Sequence, residues 1–457
     1  MRKLLLLLSV AALIPSLANP RPAHGEEPSS RWPAFLGVGG ALPDSADKLP
    51  LTWQPDQNIA WQTPITGYGQ SSPIVWGDQI FVTSVDGAKK ETWLTTSYDL
   101  ETGEQRWQMQ LANSSPVDNS LYVSRAAPTP VVDAERVIVQ FESGDCVAYS
   151  HGGKELWKRA LGTDYGPFVP EFGLGASPCQ TEEHFFVLLE QDGPSCLVAL
   201  DKATGETAWK ADRTARQSWS SPAVVMAEGQ PHIVVSSGGS VDGYHPQTGE
   251  VLWTFDDVGG NTATTPIDQG DGRFLIAASA GRQGENAAAA KKSNALMHIR
   301  RNDRGDGWTV DRAWVAEDAS PSWGSPIIHQ GLAYWVNRVG VVYCYDAESG
   351  ENVYTKRTES SCWATPVGIG DRLYIFGKEG MTTVLKAGRE FEVLAENKLW
   401  KPGDIENTPL SPADQSSEER RRGAAMFSGP TLYGVALAGS DIIIRVGNRL
   451  FCIREPM

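Results

Sequence analysis

Apolar and polar positions alternate along this chain in short bursts, not in helical stripes. Segments such as Pro73-Ile-Val-Trp-Gly-Asp-Gln-Ile-Phe-Val-Thr83 and Pro366-Val-Gly-Ile-Gly-Asp-Arg-Leu-Tyr-Ile-Phe376 carry two apolar runs joined by Gly-Asp, which predicts a tight hairpin. The unit opens on Ser/Thr-Pro and recurs eight times, at Ser72-Pro73, Thr129-Pro130, Ser177-Pro178, Ser221-Pro222, Thr265-Pro266, Ser325-Pro326, Thr365-Pro366 and, degenerately, Gly429-Pro430. Successive prolines lie 57, 48, 44, 44, 60, 40 and 64 residues apart, so a core of roughly 40 to 45 residues takes insertions in some copies, the length of a propeller blade.

A second turn follows in each unit: Asp99-Leu-Glu-Thr-Gly103-Glu-Gln-Arg-Trp107, Asp201-Lys-Ala-Thr-Gly205-Glu-Thr-Ala-Trp209 and His245-Pro-Gln-Thr-Gly249-Glu-Val-Leu-Trp253. Shorter or decayed forms end in Trp157 and Tyr354. Asp or Thr can bond the turn backbone, Gly can take positive φ, and the aromatic supplies a plate that can dock on the neighbouring blade. The eighth unit runs out after three strands, near 434–437, 442–446 and 449–453, while an orphan segment, Asn58-Ile-Ala-Trp61-Gln-Thr, precedes the first unit. The expectation is an all-β chain forming a single eight-bladed β-propeller of four-stranded antiparallel blades, with the Trp61 strand completing the last blade. Residues 26–57 are then an extended leader and 58–457 the propeller; 283–295 and 401–424 read as inter-strand insertions.

The motif pair resembles the tryptophan-docking repeat of the quinoprotein-like (PQQ-like) propeller family, shared by quinoprotein dehydrogenases and by the propeller lipoprotein of outer-membrane β-barrel assembly. The resemblance covers almost the whole chain after its leader. It implies two activities: quinone-dependent oxidation, or a scaffold role without catalysis.

Arg2 and Lys3 followed by apolar Leu4 to Leu17 and then small residues read as a signal peptide within residues 1–25, with cleavage after Ala18 or Gly25. The apolar run is shorter than the roughly 20 residues of a stable membrane anchor, and the first cysteine is Cys146, too late for lipid attachment near the signal. A periplasmic or secreted monomer is expected. Net charge of −15 excludes a nucleic-acid surface; the basic cluster Arg420 to Arg422 reads as a solvated loop. Cys344 and Cys452 occupy the slot of Ala148 and Ala199, as small core residues. Cys179 and Cys196 could meet across strands, and Cys146 and Cys362 have no evident partner.

Ring proteins place ligands at the channel mouth, where the innermost strands begin. The residue three before each opening proline is Gln70, Ala127, Gly175, Trp219, Ala263, Trp323, Trp363 and Phe427. Trp219, Trp323, Trp363 and Phe427, with Gln70 and with Arg125, Arg216, Gln217 and Asn261 slightly upstream, would form an aromatic funnel for a planar or sugar-like ligand if they face the axis; the competing reading, and the favoured one, packs these rings between blades. The quinoprotein resemblance implies pyrroloquinoline quinone stacked on Trp, calcium held by carboxylate and amide oxygens, an Asp base and an adjacent-cysteine disulfide. No adjacent cysteines occur, and the acids placed near the channel by position, Asp164 and Glu171, lie in no clustered pattern of hard-cation ligands. No Gly-x-Ser-x-Gly elbow, phosphate loop, haem attachment motif or His pair at metal spacing is present. No catalytic residue, metal ligand or cofactor is assigned. The expected partner is an envelope protein or polysaccharide; a quinone-dependent dehydrogenase and a carbohydrate-binding propeller are the alternatives.

Overall fold

The computed structural model describes residues 30–37, 49–168, 170, 172–260, 263–280 and 287–455. The proposed signal peptide, the middle of the leader, Glu171 and Asn261 lie outside the described residues.

Eight antiparallel sheets follow one another along the chain. In six of them the four strands are consecutive in sequence: residues 131–160 (blade 2), 179–213 (blade 3), 223–255 (blade 4), 267–315 (blade 5), 327–357 (blade 6) and 367–398 (blade 7). Blade 1, residues 74–112, carries a fifth strand. Blade 8 combines Leu432–Ala438, Asp441–Val446 and Arg449–Ile453 with the N-terminal strand Ile59–Pro64, where Trp61 pairs with Cys452. The chain is therefore an eight-bladed β-propeller closed by its own beginning. The closure ties two distant ends of the sequence into one sheet, so neither can open without breaking a ladder.

The Asp-x-x-Thr-Gly turns form because Asp99 Oδ1 accepts from the N–H groups of Glu101 and Thr102 and Gly103 sits at φ +72°, the left-handed region only glycine enters without strain. The rings of Trp61, Trp107, Trp157 and Trp209 then lie on the turn glycine of the next blade, whereas Trp253, expected to dock in the same way, bonds His232 within its own blade. Trp61, Trp107, Trp157 and Trp209 donate from Nε1 to Leu100 O, His151 O, Lys202 O and Pro246 O at 3.1, 2.7, 2.8 and 2.9 Å. A Cβ at Gly103, Gly205 or Gly249 would come within 2.5 to 2.6 Å of the docked ring, so glycine is required for contact as well as for φ. Tyr354 meets Phe391 of blade 7 edge-on at 5.7 Å. Blade 5 uses Trp314, which donates to Ala347 O at 3.0 Å and covers Gly350; its turn lacks the Thr-Gly spacing, and the bulge that sets the ring is displaced.

Most docked rings face a small residue on their own sheet, Trp314 opposite Leu296 being the exception. Trp157 and Trp209 pair with Ala148 and Ala199, and Tyr354 and Trp61 with Cys344 and Cys452, so these thiols are alanine-sized core residues. Cys179 and Cys196 lie on strands separated by His184–Leu189, which keeps them apart.

The opening Ser/Thr builds a belt around the axis. The Ser72 N–H donates to Thr129 Oγ1, Thr129 N–H to Ser177 Oγ, Ser177 to Ser221, Ser221 to Thr265, Thr265 to Ser325 and Ser325 to Thr365, at 2.9 to 3.2 Å. Six equivalent bonds thus link seven blades, each satisfying a backbone N–H that the next strand does not reach. Gly429 has no hydroxyl, so the belt stops between blades 7 and 8. There the seam is held by Leu432 N–H donating to Lys378 O at 2.9 Å and by leader residues Leu49 and Trp53.

The described part of the leader is tied down in two places. Leu49 and Trp53 pack on blades 7 and 8, with Trp53 N–H donating to Asn397 Oδ1 at 3.0 Å. Arg31–Trp32 is the fifth strand of blade 1, paired to the inner edge of Ile74–Trp76, and Pro33 O accepts from Val132 N–H of blade 2. Because Ile74–Trp76 runs away from the mouth, this segment occupies the far end of the channel.

Candidate functional site

The axis holds a cavity of about 1830 Å³. All eight residues three before the opening prolines line it: Gln70, Ala127, Gly175, Trp219, Ala263, Trp323, Trp363 and Phe427. Proline fixes φ just after the belt residue, so the preceding extended segment presents this position to the axis in every blade.

The rings both line the cavity and pack on one another across blades, so the two expectations are compatible. Trp323 and Trp363 meet at 4.4 Å between centroids, and Trp363 meets Phe427 edge-on at 5.9 Å. A second arc faces them across the ring: Trp219 against Phe172 at 5.9 Å and Phe172 against Tyr122 at 5.3 Å. Ala263 separates the arcs on one side and Gln70 on the other. Trp323 keeps 38% of its surface exposed, enough to stack a ligand. Lys378 Nζ lies 5.4 and 5.2 Å from the Trp363 and Phe427 centroids, and the Arg338 guanidinium 5.8 Å from that of Trp323, attractive cation–π geometry. Burial lowers the Lys378 pKa from its ordinary value.

The insertion at 401–424 covers part of this mouth. Asp414, fully buried, accepts from Ser120 Oγ at 2.6 Å and Leu121 N–H at 2.9 Å, joining the blade 7–8 connection to the loop before blade 2. The cluster Arg420 to Arg422 is not a loop. It belongs to helix Glu418–Ala425, capped by Ser417 Oγ accepting from Arg420 N–H, with Glu418 and Glu419 in the first turn. Arg422, Glu418 and Gly423 reach the cavity wall, and Gly423 is needed because a Cβ would lie 2.1 Å from Tyr122.

Other expected positions fall elsewhere. Arg125 is buried with its guanidinium 3.4 Å from the Tyr68 ring centroid, while Gln70 Oε1 accepts from its backbone N–H. Gln217 donates to Asp192 at the rim, and Arg216 to Gly238 O and Ser240 Oγ. Asp164 pairs with Arg159 on an outer strand at 2.6 Å, away from the channel. Tyr122, Phe172, Lys378 and Arg422 were not anticipated; the Ser-Glu-Glu start of the helix was the one legible signal.

Calcium in a quinoprotein centre requires six or more converging oxygens. Among the described residues no group of three or more His, Cys, Asp or Glu can hold a metal ion, and the cavity acids Glu418 and Glu419 both lie on one helix beside Arg422. The described residues do not fit that centre.

Fold and mouth together define a propeller of PQQ-like repeats. The family described as outer membrane protein assembly factor BamB matches residues 51–167, 169–304 and 292–443, and the chain belongs to it. Among solved structures, BamB from Moraxella catarrhalis is 13% identical with a TM-score of 0.56, covering 86% of this chain and 96% of that one. Quinohemoprotein alcohol dehydrogenase from Comamonas testosteroni is 11% identical with a TM-score of 0.55, covering 94% and 81%. At these identities the likeness is one of fold. No curated relative matches at the level of sequence.

Proposed function

We propose that this chain is an exported, non-enzymatic binding module of the cell envelope, a periplasmic or secreted scaffold that holds an envelope protein or polysaccharide at its aromatic mouth. One observation carries the reading: six rings in two facing arcs, partly exposed and flanked by Lys378 and Arg338. Such a surface stacks on sugar CH faces or aromatic side chains and releases them unchanged. Membership of a family described as an outer membrane protein assembly factor supports the envelope setting.

The test is capture from an envelope fraction and binding to purified envelope polysaccharides, with the wild type and the triple variant Trp219→Ala, Trp323→Ala, Trp363→Ala. Binding by the wild type that the triple variant loses, with its circular dichroism unchanged, supports the reading. Equal binding by both, or none above background by the wild type, overturns it. The aromatic walls also suit a quinone-dependent oxidoreductase. Trp fluorescence quenching on adding pyrroloquinoline quinone with calcium, together with dye reduction by alcohols or aldoses, would replace the first reading with this one.

A further inference from the structure

Lys90, Arg125, Lys202 and Arg445 are buried, and the Arg213 side chain is buried against Glu190. Arg213 thus has a carboxylate partner, as do Lys90, with Glu142 at 3.1 Å, and Lys202, with Asp133 at 2.7 Å. Arg125 and Arg445 have none, and both bear on one residue, Tyr68. Arg125 stacks on its ring, and the Arg445 charge acts on its phenol. Tyr68 cannot neutralise them: burial raises its pKa, and its hydroxyl is hydrogen-bonded to the Tyr433 hydroxyl at 3.0 Å.

The unused donors have a specific geometry. Arg445 donates from Nε to Gly447 O and from Nη1 to Ser71 Oγ at 3.0 and 2.6 Å, leaving Nη2 without a protein acceptor. Arg125 leaves both Nε and Nη2 without one. Those two N–H bonds run parallel on one edge of the guanidinium, the edge that receives a carboxylate side-on. Water can accept from such donors but cannot cancel two charges held out of solvent, and a buried charge without a counter-charge is destabilising. Arg445 shows the deficit, its pKa lowered to about 10 by burial.

We propose that a small monovalent anion, a halide or the carboxylate of a small acid, binds against the Nε/Nη2 edge of Arg125 in the field of Arg445. Gln70 and Tyr433, which hydrogen-bond to the Arg125 backbone and to Tyr68, both line the axial cavity, so the site lies one side chain behind the cavity wall. It is separate from the aromatic mouth.

Crystals of the wild-type chain grown in bromide, with anomalous diffraction, give the direct test. A bromide peak within hydrogen-bonding distance of Arg125 Nε, with carboxylate density in its place in crystals grown in acetate, supports the proposal; a bromide peak whose place holds only water in acetate supports it for halide alone. Only ordered water at that edge in both salts overturns it. In solution, thermal unfolding at constant ionic strength should show stabilisation that saturates with bromide. Arg125→Gln should weaken bromide about tenfold to hundredfold, the worth of a charged hydrogen bond, and an unchanged response in Arg125→Gln would again refute the site. If that variant does not fold, Arg445→Met supplies the second comparison and the diffraction result stands on the wild type alone. The triple tryptophan variant should keep its bromide response whether or not the mouth binds a partner, which separates failure here from failure of the mouth reading.

Discussion

Blade 4 departs from its neighbours in a way that makes stability depend on pH. Trp253 does not donate to a turn carbonyl of the next blade; its Nε1 donates to Nδ1 of His232 at 3.1 Å. His232 is fully buried and meets Trp308 edge-on at 4.5 Å. Protonating Nδ1 would set two N–H donors face to face, in a place where burial first, then the charges of Arg301 and His245, already lower the imidazole pKa from 6.5 to about 4. A base with a lowered folded pKa binds fewer protons folded than unfolded, so stability is complete above pH 6.5 and is lost as pH falls toward 4. At about 1.4 kcal/mol per pKa unit, the loss approaches roughly 3 kcal/mol near pH 4 and is about 2 kcal/mol between pH 7 and 5. Guanidinium unfolding at pH 7 and pH 5 measures it. His232→Gln, which can still accept from Trp253, should lower the pH 7-to-5 difference by about 2 kcal/mol, and subtraction removes the carboxylates common to both proteins. The reasoning is refuted if the variant keeps the full dependence, or if NMR shows the folded His232 imidazole titrating above pH 6.

Gly205→Ala places a methyl 2.6 Å from the Trp157 ring at φ +74° and should cost about 2 to 4 kcal/mol in chemical unfolding, strain and overpacking together; Gly229→Ala, at φ +75° with nothing within 4 Å, should cost only the roughly 1 to 2 kcal/mol of backbone strain. Thr129→Val removes the acceptor of the buried Ser72 N–H and should lower stability by about 1 to 3 kcal/mol, whereas Thr129→Ser keeps the bond; faster amide exchange at Ser72 in the valine variant alone would localise the loss. Asp414→Ala breaks the tie from the insertion to Ser120 and Leu121, so trypsin should cut at Arg421 and Arg422 faster while unfolding of the ring changes little.

The ring was legible because its signals repeat. Eight openings and a recurring turn specify blades of one kind, and a three-stranded last unit with an aromatic strand to spare specifies how they close. The belt was hidden because it is a relation between blades: each hydroxyl serves the N–H of the preceding unit, so a single unit shows only a residue before a proline. Its lapse at Gly429 reads as decay until the seam is seen. Trp314 escaped because blade 5 changes its turn, which shifts the bulge and with it the residue that faces the next blade.

The same geometry explains which mouth residues could be read in advance. Neither the belt bond nor proline's fixed φ uses the side chain three positions before the proline, so that position is free of the duties of closure and varies from Gly175 to Trp219 within one ring. A register set by the belt carries all eight such side chains to the axis. One or two residues further upstream the backbone is no longer held by it: Ala126 takes φ +47°, and Arg125 turns away to Tyr68. Lys378 and Arg422 come from a hairpin turn and an insertion that no register governs. Stability therefore rests on the repeated positions, and if the mouth binds as proposed, substitutions at Ala127 or Ala263 should alter what it holds while leaving the ring intact.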